Sequence, residues 1–249
     1  MARRLARSYG ARLYSTDTRT WVHRQRALDA GVAAAERFER LSPTERWRVG
    51  DGELFEMSLH DRRGPMVIDD VQALPPEPLI IAEGSTVPAS VVSAGVAERS
   101  RVVWLLPTAE FQDAQLAAAA IADGPARLYR LLRHRAEIDV AHYDLPVLIV
   151  DGSRATAAMV GAVERAFSDA LAAGPSATGA DPRRRLLREM NEDIVAQVRG
   201  YHLRPWATGD PELVESLFAC ECGRPDCEDE VSSTVAVAAA GPLFAAGHG

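Results

Sequence analysis

The stretch FACECGRPDCEDE sets Cys220, Cys222 and Cys227 in a C-x-C-x4-C arrangement, and AAGHG adds His248 near the end of the chain. Three thiolates and an imidazole are the soft, tetrahedral donor set that structural zinc takes. Gly223 and Pro225 favour the tight turn needed to bring Cys222 and Cys227 round one ion. His202 or an acidic side chain is the alternative to His248 as fourth ligand. The competing reading is free thiols in a core, where cysteine is common. Glu221, Arg224, Asp226 and Glu228 make these surroundings too polar to favour it. A redox role is the lesser option, because C-x-C is not the C-x-x-C spacing of dithiol sites. Four protein ligands leave no open position, so the expected zinc is structural rather than catalytic. A module of about 30–40 residues would also draw folding energy from the metal that its small core cannot supply. All three cysteines of the chain fall here, and their odd number disfavours a disulfide framework.

A second set of candidates sits where apolar runs end. YSTDT places Asp17 at the end of a short strand, IIAEGS does the same for Glu83, and VDGS for Asp151 and Ser153. A carboxylate at such a position can hold magnesium through water or orient an acceptor hydroxyl. Helix capping is the alternative for Asp17 and Glu83. The segment 125–143 carries Arg127, Arg130, Arg133 and Arg135. Their planar guanidinium groups suit phosphate, with a solvated helix face as the equal rival. Trp21, His23 and Trp47 could line a base or sugar pocket, and suit helix packing equally well.

The elements that must position these residues follow from the hydropathy pattern. PLIIAEG (78–84), SRVVWLLPT (100–108) and LPVLIVDGS (145–153) read as buried strands, separated by helical stretches over 31–61, 110–122 and 125–143. Strands alternating with helices predict an α/β fold, a doubly wound parallel sheet. AGPSATGADP breaks the pattern and reads as a linker. The expected organisation is an α/β domain over 1–172, a linker over 173–182, a bridging helix region over 183–212 and a small cysteine-bearing module over 213–249.

Composition narrows the function classes. The formal charge of −7 and the acidic residues around the cysteines disfavour nucleic acid. The first 26 residues differ, with seven Arg against one Asp, and read as a solvated helix face. All 28 basic residues are Arg, so no step can use a lysine. No apolar run reaches the roughly 20 residues of a membrane span, and no signal peptide is evident, so a cytoplasmic location is expected.

Two resemblances follow from these stretches. FACECGRPDC with a downstream Gly-His resembles a small C-terminal module of uncharacterised actinobacterial proteins, with Ala246 where those carry Pro. ARRLARSYGARLYSTDT, ERWRVG, RRGPMVIDDVQALP, PLIIAEGSTVPASVV, RVVWLLPTAEFQ and LPVLIVDGS resemble the P-loop NTPase class, of nucleoside- and small-molecule-kinase type. The resemblance implies ATP and magnesium as cofactors and a small hydroxyl-bearing acceptor as substrate. It implies that Asp17 contacts the acceptor, that Glu83 lies near magnesium and that some of Arg127, Arg130, Arg133 and Arg135 form a lid over phosphates. Asp151 and Ser153 would line the adenine side. The glycine-rich Walker A loop, G-x-x-x-x-G-K-[ST], which cradles the phosphates, is missing from these residues, and GDGE (50–53) does not replace it. The expectation is a kinase-like protein, inactive as the chain stands, whose real start lies about 20–30 residues upstream of Met1, the length a first strand and loop need, with a pseudo-kinase that has lost its loop as the alternative. The rival is a non-enzymatic zinc-containing scaffold whose C-terminal module docks a protein partner.

Overall fold

In the computed structural model, residues 1–248 are described. The chain runs α1 (Ala2–Tyr9), β1 (Arg12–Ser15), α2 (Thr20–Asp29), α3 (Ala33–Arg40), α4 (Pro43–Arg46), α5 (Asp51–Ser58), α6 (His60–Ala73) and β2 (Ile80–Glu83). It continues through β3 (Trp104–Pro107), α7 (Ala109–Ala118), α8 (Asp123–His142), β4 (Val147–Val150), α9 (Thr156–Ala166) and α10 (Ser168–Ala173). The last elements are α11 (Ala180–His202), β5 (Glu215–Ala219), β6 (Glu230–Thr234) and α12 (Val235–Ala240). They divide into two compact units. One combines Met1–Ala30, Ala73–Gly84 and the chain from Ala173 onward; the other combines Gly31–Gln72 and Ser85–Ala172.

The first unit is organised by α11. Its apolar residues Leu187 and Met190 pack with Ala6, Leu13 and Ala219. One to two turns further on, Val195 packs with Phe218, Val235, Ala238 and Leu243. A single helix thus backs both ladders of the unit. Strand β1 pairs with β2 in parallel, Arg12 opposite Ile80 and Ser15 opposite Glu83. Strand β5 pairs with β6 in antiparallel fashion, Glu215 opposite Thr234 and Ala219 opposite Glu230. Helix α1 turns its buried Leu5 and Ala6 inward and ends at Gly10, which adopts the left-handed conformation with φ 61°. A Cβ at Gly10 would stand 2.5 Å from the Ala177 carbonyl oxygen, so the position also needs glycine for close approach. Residues 173–182, expected as a linker, are tied down: the Leu79 amide donates to the Pro175 carbonyl at 2.7 Å, and the Ala177 amide to that of Gly10 at 2.8 Å.

In the second unit β3 pairs with β4 in parallel, Trp104 opposite Val147 and Pro107 opposite Val150. Leu106 packs with Ala89, Val140 and Leu145 beneath α8. Helix starts carry local signals. Thr108 accepts the Phe111 amide at the head of α7, and Ser42 forms a capping box with Glu45 at the head of α4.

The doubly wound parallel sheet is therefore corrected. Among the described residues the strands form three separate two-stranded ladders in a mostly helical chain, and the two parallel pairs fall in different units. Strands β1 to β4 and helices α7, α8 and α11 fall where local periodicity put them, whereas α6, β5, β6 and α12 were not read and 31–61 holds three short helices. Which strand pairs with which is decided by long-range packing, and alternation alone does not encode it. Each of the four-residue strands β3 and β4 has one strand partner, and Leu105, Val147 and Ile149 remain partly exposed. No helix among the described residues is long and apolar enough to cross a membrane.

Candidate metal centre

The β5–β6 hairpin carries an unusually rich loop. Phe218 is fully buried and anchors β5 against α11, so the chain leaves the strand at Cys220 in a defined place. The Cys220 amide donates to the Asp229 carbonyl at 3.1 Å, closing the loop at its base. Thr234 then caps α12, and the chain after that helix folds back over the loop. There the Glu221 amide donates to the Leu243 carbonyl at 2.7 Å, and the Ala245 amide points at the Cys220 sulfur at 3.3 Å. These contacts deliver His248 to the cysteines.

Cys220, Cys222, Cys227 and His248 form a cluster that can hold a metal ion, with all four donor atoms within 4.8 Å of one another. His248 Nδ1 lies 3.5 Å from the Cys220 sulfur and 3.6 Å from that of Cys227. A tetrahedral ion with metal–sulfur bonds of about 2.3 Å and metal–nitrogen bonds of about 2.0–2.1 Å separates such donors by about 3.5–3.6 Å. The residues present therefore fit the ion. His202, the alternative imidazole, ends α11 with its ring against Tyr201 and is not in the cluster. Asp229 stands at the rim, its carboxylate 3.5 Å from His248 Nδ1.

The electrostatics argue in the same direction. Burial pushes the Cys227 thiol up to about 12, with the neighbouring Cys222 and Cys220 adding to the rise. At Cys222 burial acts the same way, but the Arg224 amide, the other two thiols and the Arg7 guanidinium outweigh it and bring the thiol below its ordinary value. One thiolate is thus favoured at the expense of the next. Only a cation among them lets all three ionise together.

A buried polar network supports the loop from behind. Asn191 on α11 donates to the Ala219 carbonyl at 2.9 Å and to the Glu221 carboxylate at 2.8 Å, and accepts the Ala219 amide at 2.8 Å. Arg188 donates to the carbonyls of Ala238 and Gly241, both at 2.6 Å, and stands 3.6 Å from the Glu221 carboxylate. Asn191, Arg188, Glu221 and Arg7 are the site residues that sequence reasoning missed. Glu221 had the one visible signal, an acid enclosed between two candidate ligands in the string CEC.

Gly223 makes the turn between Cys222 and Cys227 with φ +75°, and a Cβ there would lie 2.7 Å from the Ala180 carbonyl oxygen. Gly223→Ala should cost about 1–3 kcal/mol of stability and weaken metal binding, both checked by denaturant titration of the zinc-loaded and metal-free protein. An unchanged midpoint would show that the loop tolerates a side chain.

The other sequence candidates fall in both units. Asp17 lies exposed in the turn after β1, and its carbonyl accepts the Thr20 hydroxyl at 3.1 Å. Glu83 ends β2 and takes a hydrogen bond from the Ser15 hydroxyl across the ladder. The four arginines of α8 are engaged within the second unit. Arg127 donates to the Val49 carbonyl at 2.6 Å and pairs with Asp51 at 3.1 Å; Arg130 pairs with Asp113 at 2.7 Å. Arg133 pairs with Glu137, and Arg135 with Asp139 at 2.9 Å. After β4 the Ser153 hydroxyl and amide donate to Asp151 at 2.6 and 2.9 Å, which holds that carboxyl below its ordinary range. Asp17 and Glu83 belong to the first unit, the arginines, Asp151 and Ser153 to the second. Trp21 stacks edge-on with Tyr201, 5.3 Å between ring centres, in an aromatic group completed by Trp206.

No family model matches this chain, and neither a curated protein nor a solved structure resembles it closely enough to count as a match.

Proposed function

We propose that the chain is a non-enzymatic, zinc-stabilised binding protein in which the metal closes the cysteine loop into a rigid presenting element. The observation that carries this reading is the gathering of four protein donors within 4.8 Å of one another, with His248 Nδ1 at 3.5 and 3.6 Å from the Cys220 and Cys227 sulfurs. Such a set leaves no position for substrate, and three thiolates favour zinc over harder ions. Elemental analysis of the purified protein should return one zinc per chain, and Cys222→Ser should lower that content sharply. Unchanged zinc in the variant would remove Cys222 from the site.

Phosphoryl transfer with ATP and magnesium is the second reading, and it rests on the carboxylates of Asp17 and Glu83 near the ends of paired parallel strands. It has less support. Glu83 is occupied by the Ser15 hydroxyl, and a phosphate would have to displace the chain's own acids from the arginines of α8.

A further inference from the structure

A divalent ion held by three thiolates and a neutral imidazole leaves residual negative charge in a largely dry loop, and charge of that kind needs a partner. A guanidinium reaches it. Arg7, on the last turn of α1, brings Nη1 to 3.8 Å from the Cys222 sulfur and to 3.5 Å from the Arg224 carbonyl, and Nη2 donates to the Cys220 carbonyl. The planar fork thus touches the backbone or sulfur of three residues in the loop, two of them candidate ligands. Its own backbone is held as well, since Arg183 on α11 donates to the Arg7 carbonyl.

The remaining links between α1 and the loop are weaker. Arg3 pairs with Glu230 at 3.2 Å and Arg4 with Glu228 at 3.0 Å, but all four side chains are roughly half exposed, where ion pairs contribute little. Ser8 donates to the Pro225 carbonyl at 3.3 Å. A helix of eight residues does not hold itself together in water, so α1 depends on what it docks against.

We propose that Arg7 is an outer-sphere partner of the metal-bound thiolates, and that it couples metal binding to the docking of α1. The proposal rests on the zinc reading above. Binding and docking are then linked reciprocally: whatever factor the docked helix adds to metal affinity, the metal adds to the docking equilibrium. Neutralising Arg7 should cost the site about 10–100-fold in zinc affinity, the range for lost outer-sphere partners.

The test is zinc competition against a chromophoric chelator, with amide exchange of residues 2–9, on wild type, Arg7→Gln, Arg7→Lys and Arg4→Gln. Arg7→Gln should bind zinc 10–100-fold more weakly. With zinc bound it should exchange α1 amides faster while β5 and β6 stay protected. In the cobalt-substituted protein the thiolate charge-transfer band should shift, which a merely structural role would not produce. Arg7→Lys should fall between the two, and Arg4→Gln should match wild type. Equal zinc affinity in wild type and Arg7→Gln would overturn the coupling, as would an equal loss in Arg4→Gln. Failure of wild type itself to take up zinc would instead strike the metal reading.

Discussion

Removing the metal with a strong chelator should unfold the cysteine loop and the chain that folds over it, and lower the thermal midpoint of the first unit by about 10 °C or more. At free zinc 1,000-fold above the dissociation constant, binding adds about 4 kcal/mol to stability, a large share of what a domain of this size possesses. The structure says where the loss should fall. Cys220, Cys222 and Cys227 pack mainly on one another, with Val231 and Ala245 beside them, so without the ion the loop has little apolar area of its own. The Phe218, Val235 and Ala238 packing against Val195 of α11 does not include the ligands and should persist, giving a partial transition rather than complete collapse. Calorimetry and near-ultraviolet circular dichroism on zinc-loaded and stripped protein measure both. An identical melt after verified zinc removal would deny the metal a structural role.

The largest single-residue effect outside the ligands should come from Asn191. Asn191→Ala removes three hydrogen bonds at once from a fully buried position. It leaves the Ala219 amide and carbonyl and the Glu221 carboxylate without that partner, and Glu221 is itself only 2 % exposed. Stranding a buried donor or acceptor costs about 1–3 kcal/mol each, and the part-compensated carboxylate costs more. A total of about 3–5 kcal/mol is expected, read as a shift in the urea midpoint. Arg188, at 3.6 Å from Glu221, should limit the loss but cannot replace the bonds to Ala219. The double variant Asn191→Ala/Glu221→Ala should be less destabilised than the two single costs summed, because the stranded acid is gone. A single-variant cost below about 1 kcal/mol would mean that water or Arg188 satisfies the site equally well.

The two halves of the candidate centre were unequally legible. Cys220, Cys222 and Cys227 announce themselves because ligand spacing, glycine and proline are local features of one loop. His248 and His202 are both distant in sequence, and choosing between them required the return of the chain after α12. Arg7 read as one more charge on a solvated face. Its contact with Cys222 spans more than two hundred residues, a relation that no periodicity carries. The α8 arginines pose the opposite case. Their spacing suggested a shared phosphate site, whereas each guanidinium has an acid or carbonyl within reach in the folded unit.

The strands β1 to β4, the helices α1, α7, α8 and α11, the cysteine loop and the exclusion of lysine chemistry were legible in the sequence alone, since each depends on residues within a few positions of one another; α6, β5, β6 and α12 were not. Strand partnership, the regrouping of the chain into two units and the fourth ligand were decided only by tertiary structure. So was the guanidinium that faces the thiolates. The physical reason is common to all of them: pairing, packing and charge neutralisation depend on which surfaces distant segments bring together, as α11 does for both ladders of the first unit, and that is a property of the folded chain as a whole.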